Sequence, residues 1–159
     1  MSTTSTRAEA STLVLADTIG GIALPSGLEA TRGMNQRAAA AGALHPALAA
    51  DYPHLDPRGA FLYLQLSEFN TDLVTSELFR HLFLPDVLVP LEQAGSLNLP
   101  VLIVAGRKDL IWSPEILHEL AGHLPDARVV EVDAGHSAYF EAADVFNQAL
   151  GEFLTSHRG

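Results

Sequence analysis

Two side chains in this sequence are of types that do chemistry together: Asp109, in the run GRKDL, and His136, in DAGHS, 27 residues further on. A carboxylate hydrogen-bonded to an imidazole fixes which ring nitrogen carries the proton. It also stabilises the cation that forms when the other nitrogen accepts one. Such a pair is the base and orienting half of a nucleophile–base–acid system. Taken singly, each residue has a plainer reading, since an aspartate after a strand often caps a turn and a Gly-His turn can be incidental. The pairing therefore depends on the elements that carry the two residues.

Pro100 to Phe153 supplies those elements. Val101 to Ala105 is a short apolar, β-branched run closed by Gly106, as expected of a strand buried on both faces of a parallel sheet. Ser113-Pro114-Glu115 offers an N-cap, a proline for the first turn and an early acid, which predicts a helix from about Pro114 to His123. Arg128 to Val132 is the next strand and Gly135 the turn after it. Ala142 to Leu154 then reads as a helix with apolar residues at Val145, Phe146, Ala149, Leu150 and Phe153. Strand-helix-strand-helix has one common solution, a right-handed crossover joining two parallel strands. Asp109 and His136 both follow strands, so both project from the carboxyl end of the sheet, where open α/β folds place their ligands. Adjacent strands lie about 4.8 Å apart, close enough for the two loops to bring carboxylate and imidazole into contact. Trp112, shortly after Asp109, either walls the site or simply packs.

Composition narrows the function classes. The chain has 159 residues, enough for one domain with a core that needs no staples. At 48% hydrophobic and 18% charged it is globular in character. It has no cysteine, which excludes disulfides, a thiolate nucleophile and a thiolate metal site. Nine basic against 19 acidic residues give a net charge of −10, with Lys108 the only lysine. Phosphate backbones and anionic lipid surfaces are repelled by such a chain, so neither nucleic acid nor membrane is an expected partner. No apolar run approaches the length of a membrane span, and MSTTSTRAEA has no apolar signal segment, so the expectation is a cytoplasmic protein. His45, His54, His81, His118, His123 and His157 show no ligand spacing in a fixed element, and no metal or cofactor is expected.

Upstream, residues 1–11 read as a disordered leader, rich in Ser and Thr with nothing to bury. Leu13 to Ala16 makes a compact apolar strand ending at Asp17, and Thr18-Ile19-Gly20-Gly21 is a turn that glycines make easily. Ala23 to Gln93 is largely helical in pattern. Helices are predicted over Leu28 to Ala43, Pro46 to Ala50, Arg58 to Glu68, Thr71 to Phe83 and Asp86 to Gln93, with Asp51 to Pro57 a proline-punctuated loop. A crossover between parallel strands needs only one helix, so the rest form an insertion.

GRKDLIWSPE followed by EVDAGHSAYFEAADVFNQALGEFL resembles the last third of the α/β-hydrolase family, and STLVLADTIGGI is similar to the strand that follows its nucleophile elbow. The match is good over roughly Leu99 to Leu154 and weaker upstream. The resemblance implies the chain order nucleophile, acid, histidine, with Asp109 and His136 as the second and third members. It implies an α/β fold, here a partial one: about three parallel strands with flanking helices, built from residues 12–22 and 97–159, and a helical cap over 23–96. Under such a cap Phe61, Tyr63, Phe69, Phe79 and Phe83 line a pocket for a small apolar substrate, core packing being the alternative for each. Tyr52 and Tyr63 are then candidate phenol donors, as in epoxide-opening relatives.

The family's remaining parts are not found in this sequence. Ser11, Ser26, Ser67, Ser76, Ser96, Ser113 and Ser137 all lie outside a G-x-S-x-G turn, no aspartate occupies an equivalent turn, and no His-Gly dipeptide offers an oxyanion loop. Three functions stay open. The chain is one part of a hydrolase of ester, carbon–carbon, epoxide or similar bonds with its nucleophile supplied by another chain; or a binding module without chemistry; or an isomerase or lyase in which His136 itself moves protons. The strand at Leu13 to Ala16 lacks the neighbour that the family places beside it. A homodimer or a complementary chain is the expected partner at that edge.

Overall fold

A computed structural model describes residues 10–69 and 81–157. The expected leader falls largely outside the described residues, as does most of the expected Thr71 to Phe83 helix, Phe79 included. The three expected strands are present as β1 (Leu13–Ala16), β2 (Val101–Gly106) and β3 (Ala127–Val132). They form one parallel sheet in the order β1-β2-β3, with Ala16 opposite Val104 and Gly106 opposite Val132. The expected α/β architecture with about three parallel strands is therefore the one observed.

All six residues of β2 are buried, and the two-residue period of a strand explains how. Val101, Ile103 and Ala105 face one layer, with Leu15, Leu117, Leu120 and Leu124. Leu102 and Val104 face the other, with Val132, Ala138 and Phe153. Each fully buried Leu, Ile or Val contributes about 1.5–3 kcal/mol, so β2 is the strand that the layers close around.

The helices are α1 (Pro25–Arg32), α2 (Met34–Ala40), α3 (Tyr52–Leu55), α4 (Pro57–Glu68), α5 (Leu91–Ala94), α6 (Pro114–Gly122), α7 (Ala138–Glu141) and α8 (Ala143–Ser156). On the sheet's two faces, α6 inserts Leu117 and Leu120, and α8 inserts Ala149 and Phe153. Ser113 holds the expected N-cap position of α6, in extended conformation, but its side chain makes no capping hydrogen bond.

Between β1 and β2 several expectations need correction. The expected Leu28 to Ala43 helix is two helices, parted at Gly33, and starts earlier, with Pro25 in its first turn. Pro46 to Ala50 is a turn segment rather than a helix, because its backbone groups are engaged elsewhere. The Ala47 amide donates to His45 Nδ1, the Ala47 carbonyl accepts from the Ser137 amide, and the Ala49 amide donates to Glu141. The expected loop after Asp51 contains α3, which buries Tyr52. The helix expected over Asp86 to Gln93 shrinks to α5, since Val89 exchanges hydrogen bonds with Gly21 and Ala23 beside the exit of β1. After β3 the helix expected over Ala142 to Leu154 is present as α8, and the short α7 precedes it where a turn was expected.

Candidate active site

The three strands end at the same rim, and each hands the chain to a loop with a carboxylate or an imidazole. Asp17 follows β1, Asp109 follows β2 and His136 follows β3. The loops after β2 and β3 pass so close that a Cβ on Gly106 would overlap the Gly135 carbonyl oxygen, and a Cβ on Gly135 would overlap the Ala49 backbone. Only glycine fits at either position.

That close approach brings the expected pair together: His136 Nδ1 lies 3.0 Å from Asp109 Oδ2. The Asp109 side chain is fully buried, and its other oxygen accepts from the amides of Ile111 and Trp112, at 2.6 and 3.1 Å. A carboxylate held by two N–H groups is an acceptor, so Nδ1 of His136 carries the proton and Nε2 presents its lone pair. Among the described residues nothing hydrogen-bonds Nε2. The ring keeps about a quarter of its side chain exposed (23%) and lies 5.4 Å from the Trp112 ring, which is itself anchored by its indole N–H on the Gly27 carbonyl. Arg37, on α2, donates to the carbonyls of Leu110 and Ile111 and ties the acid loop to the helical segment.

A cavity of about 1120 Å³ opens on His136. Tyr63, Phe83 and Trp112 line it as expected, with Leu28, Met34 and His45. Phe61 does not: it is 65% exposed. The reason is helical geometry, because residues two apart on α4 point about 200° apart around the axis, so Tyr63 facing inward turns Phe61 to solvent. Phe69, also on the list of expected pocket aromatics, is 85% exposed. Tyr52 is no donor into the cavity either, being buried with its hydroxyl on Asp56 at 3.4 Å. His45, expected at the surface or packed in the helical segment, packs with its ring 5.3 Å from that of Tyr63 and also lines the cavity.

Four features escaped the sequence reading. Asp17 is 1% exposed and accepts from the Gly106 amide at 2.9 Å and the Ala138 amide at 3.2 Å. Burial first, and the Asp109 charge second, push its carboxyl up to about 7 against the opposing pull of those amides and of His136. Ser137, 1% exposed, shares a hydrogen bond of 2.8 Å with the Tyr63 hydroxyl and so is committed to α4 rather than to His136. Glu141 clamps the histidine turn by accepting from the amides of Gly135 and Ala49, and burial raises its pKa. Lys108 bridges Asp51 and Asp133 at 2.8 and 3.0 Å. Burial, with His136 as the lesser cause, lowers the pKa of His45, and burial raises that of Tyr63. Among the described residues no three His, Asp or Glu side chains gather as a metal site, and no helix is long and apolar enough to cross a membrane.

Comparison with known proteins agrees with this architecture. A family model described as alpha/beta hydrolase fold matches residues 20–143. Over 58 residues the chain is 34% identical to a Mycobacterium tuberculosis protein that carries the name non-heme bromoperoxidase BpoC; this is 36% of the chain and 22% of that protein. The crystal structure of the enol-lactonase from Burkholderia xenovorans LB400 is similar at a TM-score of 0.64 and 26% identity, covering 91% of this chain and 56% of that one. The BpoC structure is similar at 0.69 and 20% identity, covering 94% and 59%. A thermophilic esterase from Thermogutta terrifontis is similar at 0.62 and 22%, covering 93% and 57%. The chain thus spans a little over half the length of these solved structures.

Proposed function

Because the chain belongs to the α/β-hydrolase family, we propose that it is the acid-and-histidine part of a hydrolase acting on an ester or a related carbonyl-derived bond. In this reading His136 is the general base and Asp109 its orienting acid, the attacking group comes from outside these 159 residues, and the helical segment between β1 and β2 is the cap. The observation that carries it is the 3.0 Å Asp109–His136 hydrogen bond, with His136 lining a large cavity. Nε2 takes the proton of the attacking hydroxyl as it adds to the substrate carbonyl. The imidazolium so formed is stabilised by the buried Asp109 carboxylate and then gives the proton to the leaving group. Tyr63, Phe83 and Trp112 supply the apolar walls that hold the substrate and keep water out. The esterase and lactonase names of two similar structures favour carbonyl chemistry over the epoxide alternative.

A fluorophosphonate probe tests the reading, applied to the chain alone and after mixing with extract of the source cells. The chain alone stays unlabelled, and a labelled serine protein is recovered with wild type but not with His136→Ala. Absence of both a labelled partner and esterase activity overturns the proposal. A second reading, a ligand-binding module without chemistry, is favoured by one observation: no serine of the sequence lies in a G-x-S-x-G turn, and Ser137, beside the histidine, is occupied by Tyr63. In that case His136→Ala leaves ligand affinity unchanged.

A further inference from the structure

The two working loops are joined directly, by the Lys108 amide donating to the Ala134 carbonyl at 2.9 Å and by the His136–Asp109 bond, and a second time through a third strand. Asp17 stands at the carboxyl end of β1 with φ of 48°, a left-handed backbone that a non-glycine residue rarely adopts. Its own amide donates to the Val104 carbonyl of β2 at 2.9 Å. This geometry turns the carboxylate inward beneath the rim. Oδ1 accepts from the amide of Gly106, three residues before Asp109, and Oδ2 accepts from the amide of Ala138, two residues after His136. None of the hydrogen bonds of Asp17 goes to the side chain of Asp109 or His136. A buried carboxylate placed under two other charged or chargeable groups is costly unless it holds something in place. The groups it holds are the last amide of β2, where the acid loop begins, and the first amide of α7.

We propose that Asp17 is the positioning residue of the Asp109–His136 pair, acting as a two-pronged brace that sets the spacing between the loop after β2 and the turn after β3. It acts through the backbone. Gly106 and Gly135 let the loops come close, and Asp17 fixes how close, so that Nδ1 of His136 meets Oδ2 of Asp109. Asparagine cannot replace it: an amide offers one acceptor and turns its NH₂ toward a second N–H, so one prong becomes a repulsion. The proposal rests on the hydrolase reading for the use made of the pair, but the brace is read out in the isolated chain and needs no activity.

The test is proton and nitrogen NMR on labelled wild type and Asp17→Asn. In wild type the His136 Nδ1–H gives a downfield resonance protected by its hydrogen bond to Asp109. In Asp17→Asn, with the fold shown native by circular dichroism and methyl spectra, that resonance is lost to exchange with water. The amides of Ile111 and Trp112, which Asp109 accepts, then exchange about tenfold or more faster. A variant that melts lower yet keeps the resonance and the slow amides overturns the proposal, since a merely structural aspartate behaves that way. If Asp17→Asn does not fold, wild type alone decides. The amide shifts of Gly106 and Ala138 and the His136 ring signals must follow one midpoint with the Asp17 carboxyl carbon, and independent midpoints overturn the brace. Failure of the hydrolase reading looks different: no labelled partner and no hydrolysis, with these signals intact.

Discussion

Asp17 is ionised in the unfolded chain above a pH of about 3.8, but in the folded protein burial holds its proton on until about 7. Between those values the folded state binds the proton that the unfolded state has lost, so stability is greatest below the lower value and is lost as pH rises through the upper one. The interval corresponds to on the order of 4 kcal/mol. Glu141, raised by burial in the same direction, adds to the slope, so the diagnostic quantity is the difference between wild type and Asp17→Asn. Urea unfolding from about pH 4 to about pH 8 should show wild type losing stability and the variant losing markedly less; parallel slopes would contradict the buried carboxyl. The second residue to test is Asp109. Asp109→Ala leaves three donors, on His136, Ile111 and Trp112, without an acceptor in a buried site. Each such donor costs about 1–3 kcal/mol. Part of that returns through water, so a loss of about 3 kcal/mol in urea unfolding is expected, together with loss of any His136-dependent activity.

The elements legible in the sequence are those fixed by local pattern. VLIVAG needs only its own apolar run to read as a buried strand, and Pro114 with Glu115 marks the start of α6 to the residue. Asp109 and His136 were legible because each directly follows such an element. Where the reading slipped, distant groups had claimed the backbone: the amide of Ala49 by Glu141 and the carbonyl of Ala47 by Ser137 turned an alanine-rich stretch away from a helix. Asp17 was passed over for a related reason, since its partners lie 89 and 121 residues away. Two glycines separate these kinds of constraint. At Gly106 a Cβ meets backbone atoms of Ala134 and Gly135, which no rotamer change can relieve, so Gly106→Ala should cost about 3 kcal/mol or more and part the Asp109–His136 pair. Gly151 sits inside α8 with nothing within 4 Å of the same added atom. There alanine should stabilise by about 0.5–1 kcal/mol. Thermal and urea unfolding of the two variants checks both signs.

At the scale of the whole molecule the two edges of the sheet differ. The β3 edge is guarded by charge, with Glu131 paired to Arg107 at 3.1 Å and to His118 at 2.9 Å, and Arg128 exposed. The β1 edge is LVLA, without a charged side chain, and among the described residues it pairs only with β2. Leu13 donates its amide to the Pro100 carbonyl just before β2 and Asp17 donates to the Val104 carbonyl in it, so by strand alternation the amides of Val14 and Ala16 face the open side. An unpaired apolar edge recruits another strand, and the simplest occupant is the same edge of a second copy around a two-fold axis. Sedimentation of the 159-residue chain should therefore show a dimer that tightens with added salt, because a net charge of −10 on each copy opposes association. Val14→Pro removes an edge donor while leaving the β1–β2 ladder intact, and should give a monomer with the Asp109–His136 hydrogen bond preserved. A wild type that stays monomeric across concentration and salt, or a Val14→Pro chain that dimerises as well as wild type, places the contact elsewhere. The complementary half of a hydrolase, if it is the natural partner, must displace this dimer, so its binding should weaken as the concentration of the chain rises.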